Sequence, residues 1–150
     1  MIRALFFFLL CISFNIHGQT FLGNSKAEIL AAAFESYGSG KISVEKFDKT
    51  SSFITVKNGY ETLYYYLMND VCVEFVVEKP YSCNCLDVDI AAYDKNCIAT
   101  EENVWVSKDY SKKYQMVLNE SNYSVSVVSL TSIPELQDLP KVLTAKRTKE

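Results

Sequence analysis

Apolar positions recur at two spacings along this chain, and the change from one to the other marks its elements. From Ser25 to Tyr37, Ile29, Leu30, Ala33, Phe34 and Tyr37 fall on one face at helical spacing. Ser25 and Glu28 make the S-x-x-E pattern of a capping box, and Gly38 supplies a stop that tolerates positive φ. A polar connector, Ser39 to Ser52, is expected next. From Phe53 the spacing becomes two, the period of a β-strand. Asn58-Gly59 suits a type I′ hairpin turn that pairs Thr55 with Thr62 and Phe53 with Tyr64. A reversal at Asn69-Asp70 pairs Met68 with Val71, Tyr66 with Val73, and Tyr64 with Phe75.

The three consecutive tyrosines therefore divide. Tyr64 and Tyr66 share a face with Phe53, Met68, Val71, Val73, Phe75 and Val77. Tyr65 lies on the other with Ile54, Val56, Leu63, Leu67, Cys72 and Val76, together with Glu61 and Glu74. Helical spacing returns in "CNCLDVDIAAYDKNC", where Leu86, Ile90, Tyr93 and Cys97 align. Asn84 is placed to cap this helix, and Asp87 and Asp89 stand in the first turns, where the helix dipole favours anions. Three more strands follow, "ENVWVS", "KKYQMVLN" and "NYSVSVVSL". A turn at Glu120-Ser121 pairs Leu118 with Tyr123, Met116 with Val125, and Tyr114 with Val127. Gln115, Val117, Ser124 and Ser126 face away, so this hairpin is one-sided. "TSIPELQDLP" suggests one helical turn after Pro134. The expected fold is α+β, helix-βββ-helix-βββ, with an antiparallel sheet packed by helices.

The amino end changes the picture. Arg3, the apolar run Ala4 to Phe14 and the more polar Asn15 to Gly18 read as a secretory signal, residues 1–18. The apolar run is 11 residues, short of the ~20 of a membrane-spanning helix. What remains is one α+β domain, residues 19–140, and a flexible basic tail, 141–150, carrying Lys141, Lys146, Arg147 and Lys149. The signal takes His17, the only histidine, and Arg3. That leaves fourteen basic against eighteen acidic residues, a net charge of −4. An acidic body with no basic stripe argues against nucleic acid as a partner. Periplasmic or secreted localisation is expected.

Four cysteines outlast the signal: Cys72, Cys83, Cys85 and Cys97. An even count in an exported chain points to disulfides, with three possible pairings. A helix of about 12 residues returns ~18 Å, which places Cys97 near Cys72 and leaves Cys83 with Cys85. C-x-C with two distant cysteines is poor zinc spacing, so no metal is expected, and no motif calls for a cofactor.

The catalytic patterns fail one by one. "GSGK" lacks the first glycine of a phosphate loop and follows a helix. "SVEK" has none of the partner motifs of penicillin-binding enzymes. Asp87, Asp89 and Asp94 lack the glycine and the terminal acid of a Ca²⁺ loop. Without histidine, no serine or cysteine has its usual base. Glu61 and Glu74, set among Leu63, Tyr65 and Leu67, keep a small carboxylate-dependent hydrolase as the alternative.

"GNSKAEIL", followed by a tyrosine-rich meander to Val77, resembles the small exported proteins common in Bacteroidota. It is also similar to the helix-plus-meander periplasmic modules that include the BamE-like and β-lactamase-inhibitor-like folds. The resemblance implies a non-enzymatic binding, assembly or inhibitor-like role in the cell envelope, with no catalytic residue. The pattern agrees, because both faces of the first meander are apolar. If helix 25–37 covers the Tyr64 face, the face of Leu63, Tyr65, Leu67 and Glu74 needs another cover. Helix 85–96, the segment around Ile133 and Leu136, and a protein partner or second copy are the three candidates. A structural envelope protein without a discrete site is a further alternative.

Overall fold

A computed structural model describes residues 21–131. The signal, the turn after Pro134 and the basic tail lie outside them. Helix α1, Lys26–Tyr37, opens the described chain and is followed by strands β1, Ile42–Lys46, β2, Ser51–Asn58, β3, Glu61–Met68, and β4, Val71–Pro80. Helix α2, Leu86–Asn96, then leads into β5, Cys97–Glu101, β6, Val104–Ser107, β7, Lys112–Leu118, and β8, Asn122–Ser129. All pairings are antiparallel, in one sheet of order β1-β2-β3-β4-β8-β7-β6-β5. The layout is thus helix-ββββ-helix-ββββ, and the expected helix-βββ-helix-βββ is corrected by one strand in each half.

Both missed strands are the sheet's edges. β1 lies in the polar connector and alternates only weakly, because its outer side has no neighbour. β5 begins at Cys97, which helical spacing assigned to the preceding helix. An edge strand needs less apolar surface than a central one, so its pattern is faint. The strand order is symmetric about its centre, β4 and β8, with β1, β2 and β3 matched by β5, β6 and β7 at the same distances from it.

α1 starts as its sequence dictates. The Ser25 backbone N–H donates to Glu28 Oε2 at 2.8 Å, and the Glu28 backbone N–H donates to Ser25 Oγ at 3.4 Å. Gly38 stops it at φ 77°, its N–H donating to the Phe34 carbonyl. α2 departs from expectation at its start. Cys85, not Asn84, occupies the cap position, no side chain caps the helix, and Asn84 has left-handed φ 54° and ψ 32°.

Both helices pack on one side of the sheet. Across that side runs a row of directly paired residues: Val44, Ile54, Tyr65, Phe75, Val127, Tyr114, Trp105 and Ala99. The six central members are buried, with Ile29 and Ala33 of α1 over them and Leu86, Ile90 and Tyr93 of α2 packed against the same core. The β7–β8 hairpin has the expected register, and Tyr114, Met116, Tyr123, Val125 and Val127 are its buried face.

The first meander differs in two places. Gly59 and Tyr60 make its first turn, so Asn58 faces Glu61, Thr55 faces Tyr64 and Phe53 faces Tyr66. A shift of two residues leaves every side chain on its expected face. The second change does not. Asn69-Asp70 forms the expected turn, both residues at positive φ, and Met68 faces Val71. Then Val73 is an extra residue, a β-bulge, beyond which Tyr66 faces Glu74 and Tyr65 faces Phe75. The one-residue slip moves Phe75 and Val77 to the helix side and Glu74 and Val76 away from it. At this bulge β4 changes neighbours. Past it β4 pairs with β8, and before it the segment Gly23 to Ser25 takes that edge, Cys72 N–H donating to the Asn24 carbonyl at 2.9 Å.

Candidate functional site

Leu63, Tyr65 and Leu67 are core side chains, at 7, 2 and 2% exposure. α1 covers their face from within the chain, and the Phe21 ring meets Tyr65 edge-on at 5.6 Å. This reverses the expectation that α1 covers the Tyr64 face. Glu74 lies on the opposite side of the sheet, where it accepts a short hydrogen bond of 2.5 Å from Ser126 Oγ.

Of the other candidate carboxylates, Asp87 is exposed, while Glu61, Asp89 and Asp94 have partners. Asp89 Oδ2 accepts from Lys79 Nζ and from the Tyr123 hydroxyl, each at 2.8 Å, and Glu61 lies 3.4 Å from the same ammonium. Burial pushes the Lys79 ammonium down, but the hydrogen bond and charge of Asp89, with Glu61, outweigh it and hold it above its ordinary value. Burial, then the bond to Asp89, raises the Tyr123 hydroxyl. Asp94 accepts from Trp105 Nε1 at 2.8 Å. The contacts of Asp89 and Asp94 fasten α2 to the sheet. Among the described residues no group of three or more His, Cys, Asp or Glu is placed to hold a metal ion, and no helix is long and apolar enough to cross a membrane.

The cysteines divide into two kinds. The Cys83 and Cys85 sulfurs face each other across Asn84, placed to form a disulfide. Cys72 and Cys97 are unpaired, so the expected Cys72–Cys97 proximity is corrected. The reason is strand order: β4 and β5 are four positions apart in the sheet, or roughly 19 Å at about 4.8 Å per strand. Burial raises the Cys72 thiol to about 11 and also raises Cys97.

The side of the sheet away from the helices carries the candidate site. Phe47 stacks on Phe53 with ring centroids 5.0 Å apart, and Phe53 is 6.0 Å from Tyr66. Met68, Val71 and Val73 extend this aromatic row along β3 and β4. Phe47 is 64% exposed and Met68 56%. Carboxylates bracket the row, because paired positions run Glu45, Phe53, Tyr66, Glu74 across four strands. In the second half the equivalent side is polar or closed: Ser124, Ser126 and Gln115 face out, and Val104 and Val106 are buried.

Sequence reasoning had Tyr66 and Phe53 on one face but placed Phe47 in a connector. A signal for its return was present in "FDKTSSF". The Asp48 carboxylate accepts from the backbone N–H groups of Thr50 and Ser51, each at 2.7 Å, a turn that brings Phe47 back beside Phe53. Compared with protein-family models, with curated proteins and with solved structures, the chain matches none.

Proposed function

We propose that this is an exported, non-enzymatic binding module of the cell envelope, periplasmic or secreted, that engages another protein through the open side of its first half-sheet. One observation carries the reading: Phe47, Phe53, Tyr66, Met68, Val71 and Val73 form a continuous apolar surface that no helix among the described residues covers. Contiguous exposed aromatic and aliphatic side chains are a feature of association surfaces. The flanking Glu45 and Glu74 define the partner's chemistry, an apolar segment bordered by lysine or arginine. The amino-terminal signal pattern supports export. The engagement of Glu61, Asp89, Glu74 and Asp94 in structural contacts favours binding over a carboxylate-dependent hydrolase.

The test compares captures from envelope extract by the wild-type chain and by a Phe47→Ser, Met68→Ser variant. Both side chains are largely exposed, so the melting curve is expected to stay within a few degrees. A protein recovered by the wild type and lost about tenfold by the variant, about 1.4 kcal/mol of binding, supports the reading. Recovery of the same proteins by both would sink it.

A further inference from the structure

We infer that Cys83 and Cys85 form a thiol–disulfide exchange site, attacked at Cys83, whose substrates are dithiols. Two cysteines separated by one residue close a loop too short to restrain the unfolded chain, so their bond contributes little to holding the fold. Asn84 between them sits in the left-handed region, and the pair lies on the surface junction between β4 and α2 with both residues partly exposed. This is where an incoming thiolate has access. Cys72 is buried, Cys97 lies on the far edge strand, and neither is paired, so among the described residues no further thiol is at hand to divert exchange at the surface pair.

The two sulfurs are not equivalent. Cys85 is the cap residue of the 11-residue helix α2, and no side-chain hydrogen bond caps that helix. The partial positive charge of that helix end favours a thiolate at Cys85, and it acts against the residue's packing on the core and the Cys83 carbonyl 3.3 Å from its sulfur. Of the two carboxylates in the same turn, Asp89 is already neutralised by Lys79, and Asp87 points into solvent. Cys85 is therefore the better leaving group. A substrate thiolate attacks Cys83 Sγ, the Sγ–Sγ bond breaks, and Cys85 departs with the electron pair. The substrate's second thiolate then attacks its own sulfur in the mixed disulfide and releases Cys83. The substrate leaves as a disulfide, oxidised by two electrons, and the two thiol protons pass to Cys83 and Cys85.

The test uses the full chain, oxidised with glutathione disulfide and desalted. Limiting glutathione is added, the reaction is quenched in acid, and the mixed disulfide is mapped by mass spectrometry. The adduct is expected on Cys83 roughly tenfold over Cys85. The oxidised chain is expected to oxidise one equivalent of dithiothreitol with no change in its circular-dichroism melt. A Cys83→Ser, Cys85→Ser variant should melt like the wild type and oxidise none. Failure to form the Cys83–Cys85 bond, an adduct on Cys85, or a bond that is reduced only after unfolding in urea would each overturn the assignment.

Discussion

The two helices occupy equivalent places in the two halves, yet they are attached by different physics. α1 begins with a complete capping box and sets Ile29 and Ala33 into the core at 1 and 5% exposure. α2 has no side-chain cap and no fully buried residue; Leu86, Ile90 and Tyr93 pack half-buried on the core, and polar contacts add to them: Asp89 with Lys79 and Tyr123, and Asp94 with Trp105. Hydrophobic burial is tolerant of direction, so α1 needs only an apolar stripe of the right period. A buried hydrogen bond is directional and costly when unmade, so α2 depends on a few named atoms. One backbone arrangement is thus secured by buried area on one side, and by a smaller area joined to directional bonds on the other.

Substitutions separate the two modes, and the largest effect is expected in α1. Ile29→Ala removes a fully buried side chain and should cost about 2–5 kcal/mol in a urea melt. A cost below about 1 kcal/mol would mean that α1 is not anchored through the core. Asp89→Ala is expected to cost about 1–3 kcal/mol, because it leaves the Tyr123 hydroxyl without its acceptor and Lys79 with Glu61 alone. Hydrogen exchange should show that loss concentrated in the amides of α2. Equal loosening of both helices would erase the contrast. Ser25→Ala tests the cap of α1, and a loss of about 1 kcal/mol is expected.

The smallest effect is the one that distinguishes the helices by pH. The Lys79 ammonium is held above its ordinary 10.5 by Asp89 and Glu61 against the opposing effect of burial. Its contribution is therefore fully present below the unfolded value and is lost as pH rises through the folded one. Amide exchange in α2, corrected for the intrinsic base-catalysed rate, should accelerate above pH 10.5 before that of α1. Simultaneous acceleration would show that Lys79 does not hold α2.

Much of the fold was legible because local rules agree with the global arrangement. Ser25, Glu28 and Gly38 bound α1 in sequence as in space. Tyr114, Met116, Tyr123, Val125 and Val127 alternate with polar residues, which sets the register of β7 and β8 without ambiguity. β1 and β5 were not legible, since their outer edges bury nothing. The Val73 bulge was not legible either. Its cause is a competition between β8 and the segment Gly23 to Ser25 for one edge of β4, a contact between residues some fifty positions apart. The candidate site inherited this pattern. Tyr66 and Phe53 were paired on one face from alternation, but which face the helices would take was not decided by alternation, because both are apolar.

Local rules along the chain set the helix boundaries of α1, the division of Tyr64, Tyr65 and Tyr66 between two faces, and the register of the second hairpin. Each follows from interactions within a turn or between neighbouring strands. Tertiary structure alone decided which face became core, where the sheet ended, and that Lys79, Asp89, Glu61 and Tyr123 would meet. Those outcomes depend on how two helices share one side of an eight-stranded sheet, and no local spacing along the chain encodes that choice.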